Sequence, residues 1–373
     1  MNSSGVARGV SSDRSSSDTA TQIRRVVAFG GGHGLFASLR ALRRLKLDDS
    51  PDQPMEITAV VTVADDGGSS GRIRREFDML PPGDLRQALV ALAGEDSVSA
   101  RTAALFQHRF VGHGELGGHA VGNLLLAGLT EVTGTTVGAL AQAGRMLHTC
   151  GQVLPMSGLP LQIEAEVRGA DPAEPNERTL VRGQVEVATT RGVVEQVRLS
   201  PPQPPACPEA LAAIAAADWL IFGPGSWYTS VLPHFLVPEL RAAIAASPAS
   251  RLLTLNLIGD EETVGLSTAD LLHTLRQHAP EFRADVVLAD PAVVQPVVRA
   301  PESATPEVIR SADVAAQTLD PAQDRVAVDP ELREVTRQLG AELMVVRVAR
   351  NDGSARHSPA ALAAALRTVF DGE

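Results

Sequence analysis

Aromatic residues make up only 3% of the chain, with one tyrosine, Tyr228, and two tryptophans. So few rings argue against a surface that stacks on nucleic-acid bases. Positive charge is also in deficit. The 33 Lys and Arg against 44 Asp and Glu leave a formal net charge of −11 and a pI near 5.3, which removes the electrostatic basis for a nucleic-acid partner. Lysine is reduced to Lys46 alone, a coding bias and not a chemical signal. The two cysteines, Cys150 and Cys207, form no C-x-x-C and have no zinc-ligand company, which fits a reducing, cytoplasmic location. No apolar stretch approaches the length of a membrane span. Residues 1–22 are rich in Ser, Asp, Gly and Thr without an apolar segment, so they read as a disordered tail and not as a signal peptide.

Hydrophobic content of 44% is ordinary for a chain of 373 residues and supplies ample core. Short β-branched runs alternate with helical patterns. Strands are expected at Arg25–Phe29, Ile57–Val63, Asp218–Phe222, Arg251–Leu257, Asp285–Ala289 and Glu342–Val348. Helices are expected between them, such as Leu35–Leu45, Val137–Leu147, Thr268–His278 and Pro359–Phe370. This alternation implies right-handed βαβ units, hence an α/β, Rossmann-like, mostly parallel doubly wound sheet in a single unit over residues 23–373. Within about 160–200 the character changes. Leu161–Val167, Leu180–Ala188 and Val193–Leu199 read as three strands of an antiparallel meander inserted in the main unit.

Two strand-to-loop junctions stand out. Gly30-Gly31-Gly32-His33-Gly34 follows the first strand and opens a helix, and Gly32, Gly34 and Ala37 fit G-x-G-x-x-G/A. Glycines there let backbone amides approach a phosphate at the helix N-terminus. The acid expected about twenty residues later in a dinucleotide site is displaced, since Asp65 comes about thirty residues after Gly34; an NAD-dependent oxidoreductase would rest on the glycine loop alone. The second junction is Asp65-Asp66-Gly67-Gly68-Ser69-Ser70-Gly71. Two carboxylates at a strand's C-terminal end suit either Mg²⁺ facing phosphate or hydroxyls of a ribose or sugar; the structural alternative has Asp66 capping the helix that follows.

A third turn, Gly223-Pro224-Gly225-Ser226, ends another strand and forms a second anion nest, with Ser226 able to cap the next helix. Together the glycine turns fit a diphosphate. Tyr228 reads either as a ring to stack on a base or ribose or as a helix-start aromatic packed on the sheet, while Asn256 is placed to read a base or sugar edge and His33 to neighbour the phosphates. Asp84 reads first as a helix N-cap, and His119 and Asn123 share a helix face. Asp260, Glu261 and Glu262 read as a solvated loop. No G-x-S-x-G, H-E-x-x-H or Cys–His pair is present, so binding groups abound without an activated nucleophile.

In order along the chain, Gly30–Leu35, Thr62–Arg72, Pro81–Arg86, Gly118–Leu124 and Gly223–Ser230 resemble the YvcK-type gluconeogenesis factors. These are a branch of the superfamily that also contains the CofD 2-phospho-L-lactate transferases. The resemblance implies a Rossmann-like core that binds a nucleotide, UDP-sugars foremost, and a regulatory role in cell shape and envelope synthesis on gluconeogenic carbon sources, without an established reaction. By position it places Gly30, Gly31, Gly32, His33, Gly34, Asp65, Asp66, Gly223, Gly225, Ser226, Tyr228 and Asn256 around the ligand. Arg356, in Arg356-His357-Ser358-Pro359, closes over the diphosphate. Asp65 and Asp66 are the metal candidates, with Mg²⁺ the ion. Envelope-synthesis proteins and a second copy of the chain are the expected partners. The alternative that the same superfamily implies is a Mg²⁺-dependent transferase moving a phospholactyl-type group from a nucleotide to an acceptor alcohol. Three positions depart from the pattern: His33 replaces Thr, Asn256–Thr263 lacks the Gln-Pro-Gly-Glu-Thr form, and Trp227 replaces a smaller apolar residue.

Overall fold

The computed structural model describes residues 23–48, 54–171, 173–190, 192–257, 263, 266–296 and 327–372. The expected Ser-rich tail and the Asp260–Glu262 loop lie outside them.

The chain begins with β1 (Arg24–Gly30), α1 (Gly32–Asp48) and β2 (Met55–Val61). A helical run follows: α2 (Gly68–Phe77), α3 (Pro82–Ala91), α4 (Ser97–Gln107), α5 (Val121–Thr133) and α6 (Thr136–Leu147). The next elements are β3 (Gln152–Pro155), β4 (Gln162–Arg168), β5 (Arg178–Arg182), a short α7 (Gln184–Ala188) and β6 (Val193–Ser200). Alternation then resumes with α8 (Pro208–Ala215), β7 (Trp219–Phe222), a π-turn at Trp227–Val231, α9 (Pro233–Leu236), α10 (Pro238–Ala246) and β8 (Ser250–Thr254). It ends with α11 (Thr268–His278), β9 (Val286–Ala289), α12 (Pro330–Gln338), β10 (Glu342–Val345) and α13 (Pro359–Asp371).

Seven strands form one sheet in the order β10-β9-β8-β7-β1-β2-β3, every neighbour pair parallel. Val26, Val27, Ala28 and Phe29 of β1 are all buried, as a central parallel strand covered on both faces requires. Phe29 stacks on Phe222 of β7 with centroids 4.7 Å apart, and Phe235 and Phe282 extend this aromatic layer from Phe222. Four of the chain's twelve Phe, Trp and Tyr rings lie in this layer. Among the described residues no helix is long and apolar enough to cross a membrane.

The 160–200 segment is a separate three-stranded antiparallel sheet, as expected, but it is not a meander: β4 lies in the middle, flanked by β5 and β6. Its alternation is strict. Ile163, Ala165 and Val167 are buried while Glu164, Glu166 and Arg168 alternate with them on the opposite face. Glu164 pairs there with Arg182 and Arg198. The strand expected over Leu180–Ala188 stops at Arg182, because Gly183 (φ +107°) turns the chain into α7. The edge strand β3 escaped the sequence reading: four residues ending in proline carry too little periodicity to stand out.

Candidate functional site

β1 and β7 are adjacent, with Phe29 opposite Phe222. The sheet is laid down outward from this pair, β2 and β3 to one side and β8 to β10 to the other. Open α/β sheets bind ligands in the crevice at such a reversal of strand order. Both glycine turns sit there. Gly30–Gly34 carries β1 into α1, and Gly223–Ser226 follows β7.

The two turns are fastened together. Ser38 donates its hydroxyl to the Gly223 carbonyl at 2.8 Å, and the Gly225 amide donates to Asn256 Oδ1 at 2.8 Å. Gly34 presses against the Pro224–Gly225 backbone so closely that a methyl group there would stand 2.7 Å from Gly225 Cα. A cavity of about 560 Å³ opens over these turns, lined among others by Gly31, Gly32, His33, Gly34, Gly225, Ser226 and Asn256. The amides at the N-terminus of α1 give it a partial positive charge.

The acidic loop is divided between two tasks. Asp66 accepts the backbone N–H groups of Gln184 and Val185 at 3.0 and 3.2 Å. It therefore caps α7 of the small sheet from across the chain, where Gly183 has no side chain to do so. It does not line the cavity. Asp65 does, and it is paired through charge with Asp84 of α3, not with Asp66 alone. Asp65 accepts the Gly67 amide at 3.0 Å and a hydrogen bond from Ser70, yet burial outweighs both and raises its pKa. Gly71 leaves no room for a side chain over the Asp66 carbonyl, which fixes the loop against the first turn of α2.

Asp84 is not the N-cap of its helix. α3 begins at Pro82 with Pro81 as its cap, and the Asp84 carboxylate instead accepts the Gly32 amide of the glycine loop. Burial, with the Asp65 charge, pushes its pKa up to about 7. Arg86, beside it, is itself buried and holds Asn123 Oδ1 at 2.8 Å and Gln107. Asn123 donates to Ser69 at 3.0 Å, and Ser69 meets His119 Nδ1 at 3.0 Å. His119 and Asn123 thus brace α2, α3 and α5 behind the acids.

The far wall comes from the C-terminus. Ala349 pairs with His357, and the Arg350 amide donates to the Arg356 carbonyl, closing a hairpin with both arginines on the cavity lining. The hairpin is anchored at its base. Asp290 accepts the amides of Val348 and Ala349 at 2.8 and 2.9 Å, and His357 Nε2 meets the Leu255 carbonyl at 3.2 Å. Burial holds His357 down to about 4, so it stays neutral. Burial lowers the pKa of His33, and the Arg356 charge across the cavity adds to that effect.

Several sequence expectations are corrected. Of the two readings of Tyr228, the structure takes the packed one: it is 1% exposed inside the π-turn and belongs to the core. Ser226 lines the cavity, but its side chain makes no cap. Asn256 lines the cavity and also accepts the Gly225 amide at Oδ1, bracing the turn. Gly30 and Gly223 shape the turns without lining the cavity. The sequence reading missed Arg350, Gln87 and Gln184 as lining residues. For Arg350 a signal existed: Asn351-Asp352-Gly353 is a turn sequence that brings flanking positions together.

The role of Asp66 makes an expectation. Asp66→Ala should cost about 1–2 kcal/mol, the usual loss for a helix cap. Amide exchange should rise at Gln184–Thr189, with the seven-stranded sheet unaffected. Unchanged exchange in that segment would show that the cap is immaterial.

The model of the family described as 2-phospho-L-lactate transferase CofD matches residues 26–331. A Mycobacterium tuberculosis protein named "Putative gluconeogenesis factor" is 47% identical over 345 residues, covering 92% of this chain and 90% of its own. The Bacillus subtilis protein named "Gluconeogenesis factor" is 34% identical over 306 residues, covering 81% of this chain and 90% of its own. A crystal structure of a Bacillus halodurans protein superposes with a TM-score of 0.73 at 32% identity, covering 93% of this chain and 99% of that one.

Proposed function

The chain belongs to the CofD family, in the company of the gluconeogenesis factors, and on that footing we propose that its cavity binds a UDP-sugar and that the bound protein acts as a regulator. In this reading the diphosphate lies against the α1 N-terminus and the Gly223–Ser226 turn, with Arg350 and Arg356 closing over it. Ligand occupancy reports the UDP-sugar level to envelope-synthesis partners and so links cell shape to growth on gluconeogenic carbon sources. The observation that carries the reading is the convergence of two glycine turns and two arginines on one cavity at the β1–β7 reversal.

The Asp65–Asp84 pair supports a second reading, a transferase. Magnesium takes one or two carboxylates and fills its shell with phosphate oxygens and water, so two acids beside a phosphate site fit it, although no group of three or more His, Cys, Asp or Glu among the described residues is placed to hold a metal. There Asp65 and Asp84 would hold the ion, and the ion would offset charge on the nucleotide.

Calorimetric titration with UDP-N-acetylglucosamine, UDP-glucose, GDP and NAD, with and without Mg²⁺, separates the two. Selective UDP-sugar binding without turnover is the expected result. GDP-selective binding that requires Mg²⁺ would contradict it and favour the transferase.

A further inference from the structure

The cavity carries charge of both signs. Its lining carries the guanidiniums of Arg350 and Arg356 together with the carboxylates of Asp65 and Asp84, and Asp84 takes the Gly32 amide that opens α1. Asp84 Oδ2 lies 2.6 Å from where a methyl group on Gly31 would be, and Asp65 Oδ2 lies 2.6 Å from the same point on Gly83. Both acids are therefore wedged between the glycine loop and the start of α3. The guanidiniums whose charges reach them are committed elsewhere: Arg86 to Asn123 and Gln107, Arg74 to the Leu161 carbonyl at 2.7 Å. Gln87 and Gln184, neutral amides that both donate and accept, line the cavity too, as do Ser230 and Asn256.

We propose that Asp65 and Asp84 are specificity-determining residues that admit a nucleotide sugar with an uncharged, hydroxyl-rich sugar and reject one whose sugar carries a carboxylate. This rests on the UDP-sugar reading above and goes further by fixing the ligand's orientation. The orientation proposed sets the dianionic diphosphate against Arg350 and Arg356 and the sugar, not the uridine, against the acids. Carboxylate acceptors bind sugar hydroxyls through charge-assisted hydrogen bonds. A uronic acid in the same place sets like charges against each other in a partly desolvated site, the arrangement by which interfaces exclude wrong partners.

UDP-glucose and UDP-glucuronate test this directly, since they share the nucleotide and differ only in a hydroxymethyl or carboxylate at the sugar C6. Titrations at pH 8 in EDTA keep divalent cations away from the acids. Wild-type protein is expected to bind UDP-glucuronate about tenfold or more weakly than UDP-glucose. Asp65→Asn and Asp84→Asn, each close in volume to the original, should each bring the two affinities within about threefold, mainly by improving the uronate. Thermal melts identify folded variants, and either variant alone suffices for the comparison. Equal affinities in the wild type, or a wild-type preference that neither variant changes, would overturn the assignment and leave UDP-sugar binding standing. If neither ligand binds the wild type, the functional reading fails first and this one with it.

Discussion

Gly34→Ala is expected to destabilise the protein by about 3 kcal/mol or more, at the upper end of overpacking effects, and to abolish ligand binding. The reason is local and steric. A Cβ at Gly34 would meet the Pro224 carbonyl and stand 2.7 Å from Gly225 Cα. Both obstacles are backbone, so neither can rotate away. The turn that would have to yield is itself tied by Ser38 to Gly223 and by Asn256 to Gly225. Gly32→Ala is the control. Gly32 has a φ of +54° but nothing within 4 Å of the added methyl, so only left-handed strain applies, about 1 kcal/mol. Denaturant unfolding of both variants checks the ordering. Equal losses would show that the glycines serve conformation alone and that the β1 and β7 turns are not in forced contact.

Asp84→Asn is expected to stabilise the protein at pH 8 and to leave it near wild type only below about pH 4. The Asp84 carboxyl is raised from 3.8 to about 7, first by burial and then by the facing Asp65. A raised acid holds its proton more tightly in the folded chain than in the unfolded one. Its contribution to stability is whole below 3.8 and is lost as pH rises through 7. At about 1.4 kcal/mol per pH unit, ionised Asp84 costs on the order of 4 kcal/mol at pH 8. Asparagine removes the charge and keeps an oxygen for the Gly32 amide, so a gain of on the order of 2–4 kcal/mol is expected at pH 8. His234 and His357, both held by burial near 4, push wild-type stability the other way, downward as pH falls below 6.5. They are present in both proteins, so the comparison is variant against wild type at each pH. A gap that does not change with pH would show that Asp84 is not a strained acid. A residue kept ionisable at such a cost, on a cavity wall, is best explained by what the cavity binds.

The framework was legible because its signals are local. The β-branched run Ile57–Val63 and the glycine loop after Phe29 each announce their own structure within a few residues, and the parallel sheet follows from their alternation. The acids show where local reading fails. Asp65 and Asp66 are neighbours in sequence, but strand geometry sends them to different places, one into the cavity and one to α7, 118 positions along the chain. Besides the adjacent Asp66, Asp65 meets the charge of Asp84, brought back by the turn between α2 and α3. Asp84 also looked like a helix cap because Asp commonly is one; Pro81 and Pro82 had already started the helix. Tyr228 stays open in the sequence for a similar reason. A lone aromatic after a glycine turn suggests a ligand, whereas the π-turn rotates it into the core. Gly34 is the reverse case, rightly singled out as a backbone-approach glycine although the backbone it approaches in the fold is that of Pro224–Gly225.

The most direct test of the central claim is titration of Arg356→Ala with UDP-N-acetylglucosamine beside the wild-type protein. Arg356 is exposed on the hairpin and lines the cavity, so its removal should leave the thermal melt unchanged. Affinity weaker by about a hundredfold or more is expected, the cost of removing one charged partner from an ion pair that ligand binding desolvates. Undiminished affinity in a normally folded variant would contradict it, and would place the ligand somewhere other than between the glycine turns and the C-terminal hairpin.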